Sequence, residues 1–120
     1  MHGKREEIPL LFEAGSYYSR QTEWGEMDAG FWAFPAGFDS ALLFPGLPHG
    51  CECPHYGYLL KGRMRVVYAD HEEVIEAGSA YYLEPGHLPV MEEDCEMVEF
   101  SPKELSRRMM EIAGRAMASM

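Results

Sequence analysis

The sequence has no long hydrophobic run. Its apolar residues never reach the roughly eighteen consecutive positions that a membrane-spanning helix needs. Residues 1–7 also lack the apolar stretch that a secretory signal peptide contains. We therefore expect a cytoplasmic protein without a membrane partner.

Basic residues are scarce. Ten Lys and Arg residues stand against twenty Asp and Glu residues, which gives a formal net charge of −10. This charge repels phosphate backbones and anionic membrane surfaces, so nucleic acid is excluded as a partner. With 120 residues, of which 47% are hydrophobic, the chain is long enough for one compact domain whose core needs no disulfide.

Cysteine is also rare, and the three cysteines are an odd number. Only one residue separates Cys51 from Cys53, a spacing that is poorly suited to a disulfide between them. In a reducing compartment, such closely spaced cysteines beside a histidine indicate a metal site. Cys95 has no histidine nearby and is interpreted as a packing residue, and His71 as a residue of a polar turn.

Short β-rich segments separated by turn residues fill most of the chain. Residues 1–14 are interpreted as an N-terminal arm or an edge strand, and residues 17–44 are rich in aromatic residues and glycine without helical periodicity. Further strands are predicted at residues 58–68, 73–76, 80–83 and 96–100. This pattern is typical of a sandwich or barrel, so we predict an all-β barrel over residues 15–100 of a single domain.

The C-terminal segment has a different pattern, which predicts one amphipathic helix over residues 102–118. Ser101 is a good N-cap, Pro102 suits the first helical position, and Glu104 completes a capping box. Four apolar residues then share one helical face: Leu105, Met109, Ile112 and Ala116. This face and the exposed strand edges predict a homodimer, with packing of the face on its own barrel as the alternative.

Potential metal ligands are concentrated between residues 49 and 55. In an extended segment, alternate side chains share a face, so Cys51, Cys53 and His55 are predicted to point the same way, with His49 as a further candidate. His87 follows a turn and could approach this group from across a barrel. Two thiolates and two imidazoles form a tetrahedral set for zinc, although iron, nickel or copper would also be accepted.

The spacing of these residues resembles the first motif of the small single-domain cupins. That motif reads His-x-His, three or four residues, Glu, six residues, Gly. Gly62 matches its closing glycine, His55 falls on the glutamate position, and His49 and Cys51 fall on the two histidines. The second histidine of the motif is therefore replaced by cysteine.

A second cupin motif reads Gly, five residues, Pro-x-Gly, two residues, His. Gly78 and Gly86 match its two glycines, Glu84 takes the proline position, and Pro89 falls where the histidine is expected. His87 lies two residues earlier, one strand repeat away, and can therefore face the same interior. The resemblance implies an antiparallel jelly-roll barrel, a dimer and a divalent metal, but no particular reaction.

Three functions remain open from the sequence. In the first, a metal-dependent enzyme holds its metal with His55, His87 and one of Cys51 or Cys53, and an open position admits a small substrate. The candidates for moving protons are Tyr56, Tyr58, Tyr81, Tyr82, Glu84 and Glu99. In the second, a non-catalytic module binds a small ligand in a barrel mouth lined by Trp24, Trp32, Phe34 and tyrosines. In the third, all four ligands close a structural zinc site.

Overall fold

The fold consists of two antiparallel β-sheets and one C-terminal helix, as described for residues 1–119 by a computed structural model. The strands are β1 (Leu10–Ala14), β2 (Tyr17–Trp24), β3 (Met27–Phe34), β4 (His55–Lys61), β5 (Arg63–Val67), β6 (Glu72–Glu76), β7 (Ala80–Leu83), β8 (Leu88–Met91) and β9 (Cys95–Pro102), followed by helix α1 (Lys103–Ala118). One sheet has the order β1-β2-β3-β9-β4-β7, and the other has the order β6-β5-β8. The predicted all-β architecture with a terminal helix is confirmed.

The hydrophobic core lies between the two sheets. Its buried members are Leu59, Met64, Val66, Ile75, Leu83, Met91, Cys95 and Met97. Along β5 and β9 the core residues are two positions apart, because successive strand residues point to opposite faces. Cys95 therefore has the packing position that the sequence predicted for it.

The turn between β4 and β5, which brings the chain from one sheet to the other, depends on Gly62. Its φ of +91° lies in the region that favours glycine. A Cβ atom at this position would lie 2.3 Å from the carbonyl oxygen of Asp94, so there is also no room for a side chain. Both the backbone conformation and the lack of space therefore require glycine at this position of the cupin motif.

The pairing of β3 with β9 sets the row of side chains that faces the interior. Asp28 is paired with Ser101, and Gly30 is paired with Glu99. Directly paired residues of an antiparallel sheet point to the same face, and so do residues two apart on one strand. Asp28, Ser101 and Glu99 consequently belong to one inward face.

The ends of the chain differ in part from the predictions. Of the two alternatives for residues 1–14, the edge strand is present as β1, which pairs with β2. Helix α1 begins at Lys103, with Pro102 in the N-cap position and no side-chain cap. The prediction that Ser101 caps the helix is wrong, because Pro102 occupies the N-cap position and the Ser101 hydroxyl contacts His55 instead.

Helix α1 covers the barrel with part of its predicted apolar face. Met109 is buried against Cys51 and Cys53, and Ile112 packs beside it. Leu105 remains exposed. No helix in residues 1–119 is long and apolar enough to cross a membrane.

A group of exposed apolar side chains lies on the six-stranded sheet, on the side away from the core. We call it the outer aromatic face, and it consists of Tyr56, Tyr58, Leu60, Tyr82 and Phe100. The rings of Tyr56 and Tyr82 lie 4.7 Å apart across β4 and β7. Tyr56, Tyr58 and Tyr82 point away from the interior. The prediction that they could move protons inside the barrel is therefore wrong.

Candidate metal site

Three of the four predicted metal ligands meet at one wall of the barrel. The potential ligand atoms of Cys51, His55 and His87 all lie within 4.8 Å of one another. Cys51 and His87 face each other across an isolated antiparallel bridge, in which the Cys51 amide donates to the His87 carbonyl at 3.2 Å. His55 joins them as the first residue of β4.

The distance between Cys51 and His55 matches that of two ligands on one tetrahedral metal ion. With zinc–sulfur and zinc–nitrogen bonds of about 2.3 and 2.0 Å, tetrahedral angles place a sulfur and a nitrogen ligand about 3.5 Å apart. The distance from Cys51 Sγ to His55 Nε2 is 3.7 Å. One thiolate and two imidazoles are a donor set that zinc prefers, so the residues present fit this ion.

Each histidine is held by a hydrogen bond on the ring nitrogen that would not bind the metal. Nδ1 of His87 donates to the Glu84 carbonyl at 2.6 Å, and Nδ1 of His55 lies 2.5 Å from the hydroxyl of Ser101. A carboxylate oxygen of Glu99 is 3.8 Å from the same His55 nitrogen. With the proton on Nδ1, the Nε2 lone pair of each ring is free to bind a metal, and the ring orientation is fixed.

Burial keeps all three side chains uncharged in the absence of metal. Loss of solvation lowers the pKa of His55 and of His87 to about 4. The same cause raises the pKa of the Cys51 thiol to about 12. At neutral pH both histidines are therefore available as ligands, while a metal ion has to displace the proton of the thiol.

A second pair of titratable groups lies beside the three ligands. The hydroxyl of Tyr81 donates to Glu99 at 2.5 Å. Burial is the largest cause of the raised pKa of Glu99, and it also raises the pKa of Tyr81 well above its ordinary value. The pair can therefore hold a proton at a position next to His55.

The three ligands open onto an internal cavity of about 130 Å³. Its walls are mostly apolar, and its aromatic part includes Tyr17, Trp32, Phe34 and Phe38. Glu99 and Ser101 also line it, on the same side as His55. Two of the aromatic residues predicted to line a ligand site, Trp32 and Phe34, are found here, whereas Trp24 lines a separate small cleft.

Cys53 and His49 lie outside the group of three ligands. Cys53 is fully buried, but its thiol lies 3.5 Å from the carbonyl of Pro54 and packs near Met109. His49 is exposed. Residues 52–54 do not continue β4, so the alternation that placed Cys53 beside Cys51 and His55 does not apply there.

Other predicted residues have different roles in the structure. His71 is exposed and stacks on Tyr68 with ring centroids 4.5 Å apart. Glu84 contributes its backbone carbonyl to His87 rather than its carboxylate. Ser101 was missed as a site residue because the pattern Ser-Pro-x-Glu is also that of a helix start.

Comparison with known proteins establishes the fold. No protein-family model and no curated protein matches the sequence. Among solved structures, an RmlC-like cupin from Shewanella frigidimarina has a TM-score of 0.61 and 18% identity, covering 83% of this chain and 88% of that one. KdgF from Halomonas sp. has a TM-score of 0.57 and 18% identity, covering 82% of this chain and 92% of that one.

A longer enzyme contains the same architecture as part of its chain. A mutant of Bacillus subtilis oxalate decarboxylase has a TM-score of 0.58 and 16% identity, and the match covers 84% of this chain but 30% of that one. The chain thus has the fold of a small cupin-type barrel, as the motif resemblance implied. A shared fold does not carry an activity with it, so function has to be argued from the site.

Proposed function

We propose that this protein is a metal-dependent enzyme that binds one zinc ion through Cys51, His55 and His87 and acts on a small molecule in the adjoining cavity. The observation that carries the proposal is the meeting of these three ligand atoms within 4.8 Å at the cavity wall. Three protein ligands with one open position are the usual arrangement of catalytic zinc, whereas structural zinc has four.

Residues of this chain would support the chemistry around the ion. A bound zinc ion supplies a Lewis acid that polarises a coordinated oxygen of substrate or water. Glu99, which shares a hydrogen bond with Tyr81 at 2.5 Å, can hold or release a proton next to that position. The mostly apolar lining of the cavity lowers the local dielectric constant and so strengthens these interactions.

Metal analysis of the purified protein tests the ligand set. The protein should be made without an affinity tag, because a histidine tag binds metals itself. We expect about one zinc per chain in the parent and a large loss in His55→Ala and His87→Ala. His49→Ala and His71→Ala are matched controls outside the group and should keep the metal. A parent protein that takes up no divalent metal would refute the proposal.

The number of protein ligands separates the enzyme from a closed structural site. In the cobalt-substituted protein, an open coordination position should let azide bind and change the visible absorption spectrum. A structural zinc site with Cys53 as its fourth ligand would leave the spectrum unchanged, and Cys53→Ala would then lose the metal. The three-ligand site instead predicts that Cys53→Ala retains it.

A non-catalytic ligand-binding module is the second candidate, favoured by the aromatic walls of the cavity. Both functions require a small molecule in the same space. They differ in Glu99, since Glu99→Gln should abolish turnover by an enzyme but leave the binding of an uncharged probe such as benzyl alcohol to a simple binding module nearly unchanged.

A further inference from the structure

Three buried polar side-chain atoms in residues 1–119 have no hydrogen-bond partner, and all three belong to residues that line the cavity. They are Oε1 of Gln21, Oδ2 of Asp28 and Oγ of Ser40. Buried polar atoms are nearly always paired, because an unpaired one costs about 1–3 kcal/mol. Their common location indicates that a molecule in the cavity supplies the missing partners.

Of the three residues, Asp28 has the highest free-energy cost of remaining without a partner, because its side chain is a carboxylate. Its side chain is only 5% exposed, and its one ion pair, between Oδ1 and the Arg107 guanidinium, is long at 3.7 Å and makes no hydrogen bond. The other oxygen, Oδ2, is without a partner. A buried carboxylate in this position favours a ligand that carries hydrogen-bond donors and a positive charge.

Gln21 adds a second acceptor close to Asp28. On β2 it is paired with Gly30, two residues along β3 from Asp28, so the two side chains are diagonal neighbours on the inward face. Nε2 of Gln21 is 3.4 Å from the Ser106 hydroxyl, which leaves Oε1 free. The Asp28 carboxylate and this amide oxygen can therefore accept from one donor group.

The space between these acceptors is bounded by an aromatic ring. A Cβ atom at Gly30 would lie 2.8 Å from Nε1 of Trp32, so the indole occupies the position that a larger residue would take. Phe34 and Tyr17 continue this aromatic wall. The wall fits the apolar or aromatic body of a small ligand.

The charge of the cavity lining disfavours an anionic ligand at the end that contains Asp28 and Gln21. The described residues that line it include two carboxyl side chains, Asp28 and Glu99, and no Lys or Arg. An anionic group beside Asp28 would be repelled by its carboxylate. A protonated amino group would instead donate hydrogen bonds to both acceptors.

We propose that Asp28 and Gln21 form a subsite for the protonated amino group of a small aromatic amine. The inference rests on the proposed function in placing the ligand in this cavity, but it does not require the metal. Asp28 is the cross-strand partner of Ser101, whose hydroxyl lies 2.5 Å from His55. One small molecule can therefore contact the amine subsite and the metal site together.

Benzylamine and uncharged benzyl alcohol are suitable probes, because they share the ring and differ in the cationic group. Binding should be measured by isothermal titration calorimetry on the metal-free and on the zinc-loaded protein. We expect benzylamine to bind more tightly than benzyl alcohol in both. Asp28→Asn should weaken benzylamine binding about tenfold or more, the equivalent of one charge-assisted hydrogen bond, and leave benzyl alcohol unchanged.

The matched control is Glu26→Gln, which removes a negative charge from the same hairpin at a side chain that is 92% exposed. It should leave benzylamine binding unchanged. If Asp28→Asn does not fold, as judged by circular dichroism, Gln21→Met replaces it and should weaken benzylamine binding about threefold through loss of one acceptor. Equal binding of the two probes, or equal benzylamine affinity in the parent and the folded subsite variant, would overturn the inference.

The metal-free measurement separates this inference from the proposed function. A protein that takes up no zinc but binds benzylamine through Asp28 would refute the proposed enzyme and support the amine subsite. A protein that binds zinc at Cys51, His55 and His87 but does not distinguish the two probes would support the metal site and refute the amine subsite.

Discussion

Ser101 is predicted to determine zinc affinity without touching the metal. Its hydroxyl lies 2.5 Å from Nδ1 of His55, and it fixes the ring so that Nε2 faces Cys51 Sγ at 3.7 Å. Loss of such an outer hydrogen bond costs about 10- to 100-fold in metal affinity. We expect Ser101→Ala to fall near the lower end of this range, because the Glu99 carboxylate, 3.8 Å from Nδ1, can move to accept the proton.

Competition with a zinc-chelating dye at constant pH measures this change in dissociation constant. Ser40→Ala is the control, since Ser40 is 6% exposed against 5% for Ser101 and its hydroxyl has no partner. Thermal unfolding of the metal-free variants should be compared in parallel, so that a loss of affinity is not confused with a loss of folding. A zinc affinity of Ser101→Ala within twofold of the parent, or an equal loss in Ser40→Ala, would refute the reasoning.

Three further predictions concern proton release, core packing and assembly. Zinc binding at about pH 6, where zinc-bound water keeps its protons, should release one proton per chain from the Cys51 thiol. Calorimetry in buffers of different ionisation enthalpy measures the number of protons released. Release of two protons would show that Cys53 also coordinates the metal. Gly57→Ala should destabilise the fold by about 1–3 kcal/mol, seen as a lower Tm, because its Cβ would lie 2.4 Å from the Tyr81 ring; an unchanged Tm would contradict this. We propose that the outer aromatic face is the interface of a homodimer. Sedimentation should then show a dimer in the parent and a monomer in Tyr58→Lys. A monomeric parent at micromolar concentration would refute this proposal.

The barrel could be predicted from sequence because its turns need particular residues. Gly62, Gly78 and Gly86 all have a positive φ, between +91° and +94°, where other residues are strained. These glycines keep the spacing of the cupin motifs even though the ligands between them have changed. The turn glycines were therefore easier to recognise in the sequence than the metal ligands were.

Three of the four predicted ligands lie together, and the separate position of Cys53 has a local cause. Alternation along a strand requires continuous extended backbone, but β4 begins only at His55, and Gly50 before Cys51 has a φ of +70°. Cys53 therefore packs against helix α1 instead of facing His55. The amine subsite could not be found from sequence, because Asp28 and Gln21 meet only through strand pairing.

Two of the departures from the cupin ligand pattern are connected in the structure. A cysteine stands at the second histidine position of the first motif, and the histidine of the second motif comes two residues early, at His87 rather than Pro89. The bridge between Cys51 and His87 places these two residues directly opposite each other, with Cβ atoms about 5 Å apart in such pairs, which suits a shared metal ion. A histidine at position 89 would lie one strand repeat, about 7 Å, beyond this partner. We therefore expect the early histidine and the cysteine to act as one ligand pair, so restoring a histidine at position 89 in the His87→Ala protein should not recover zinc binding.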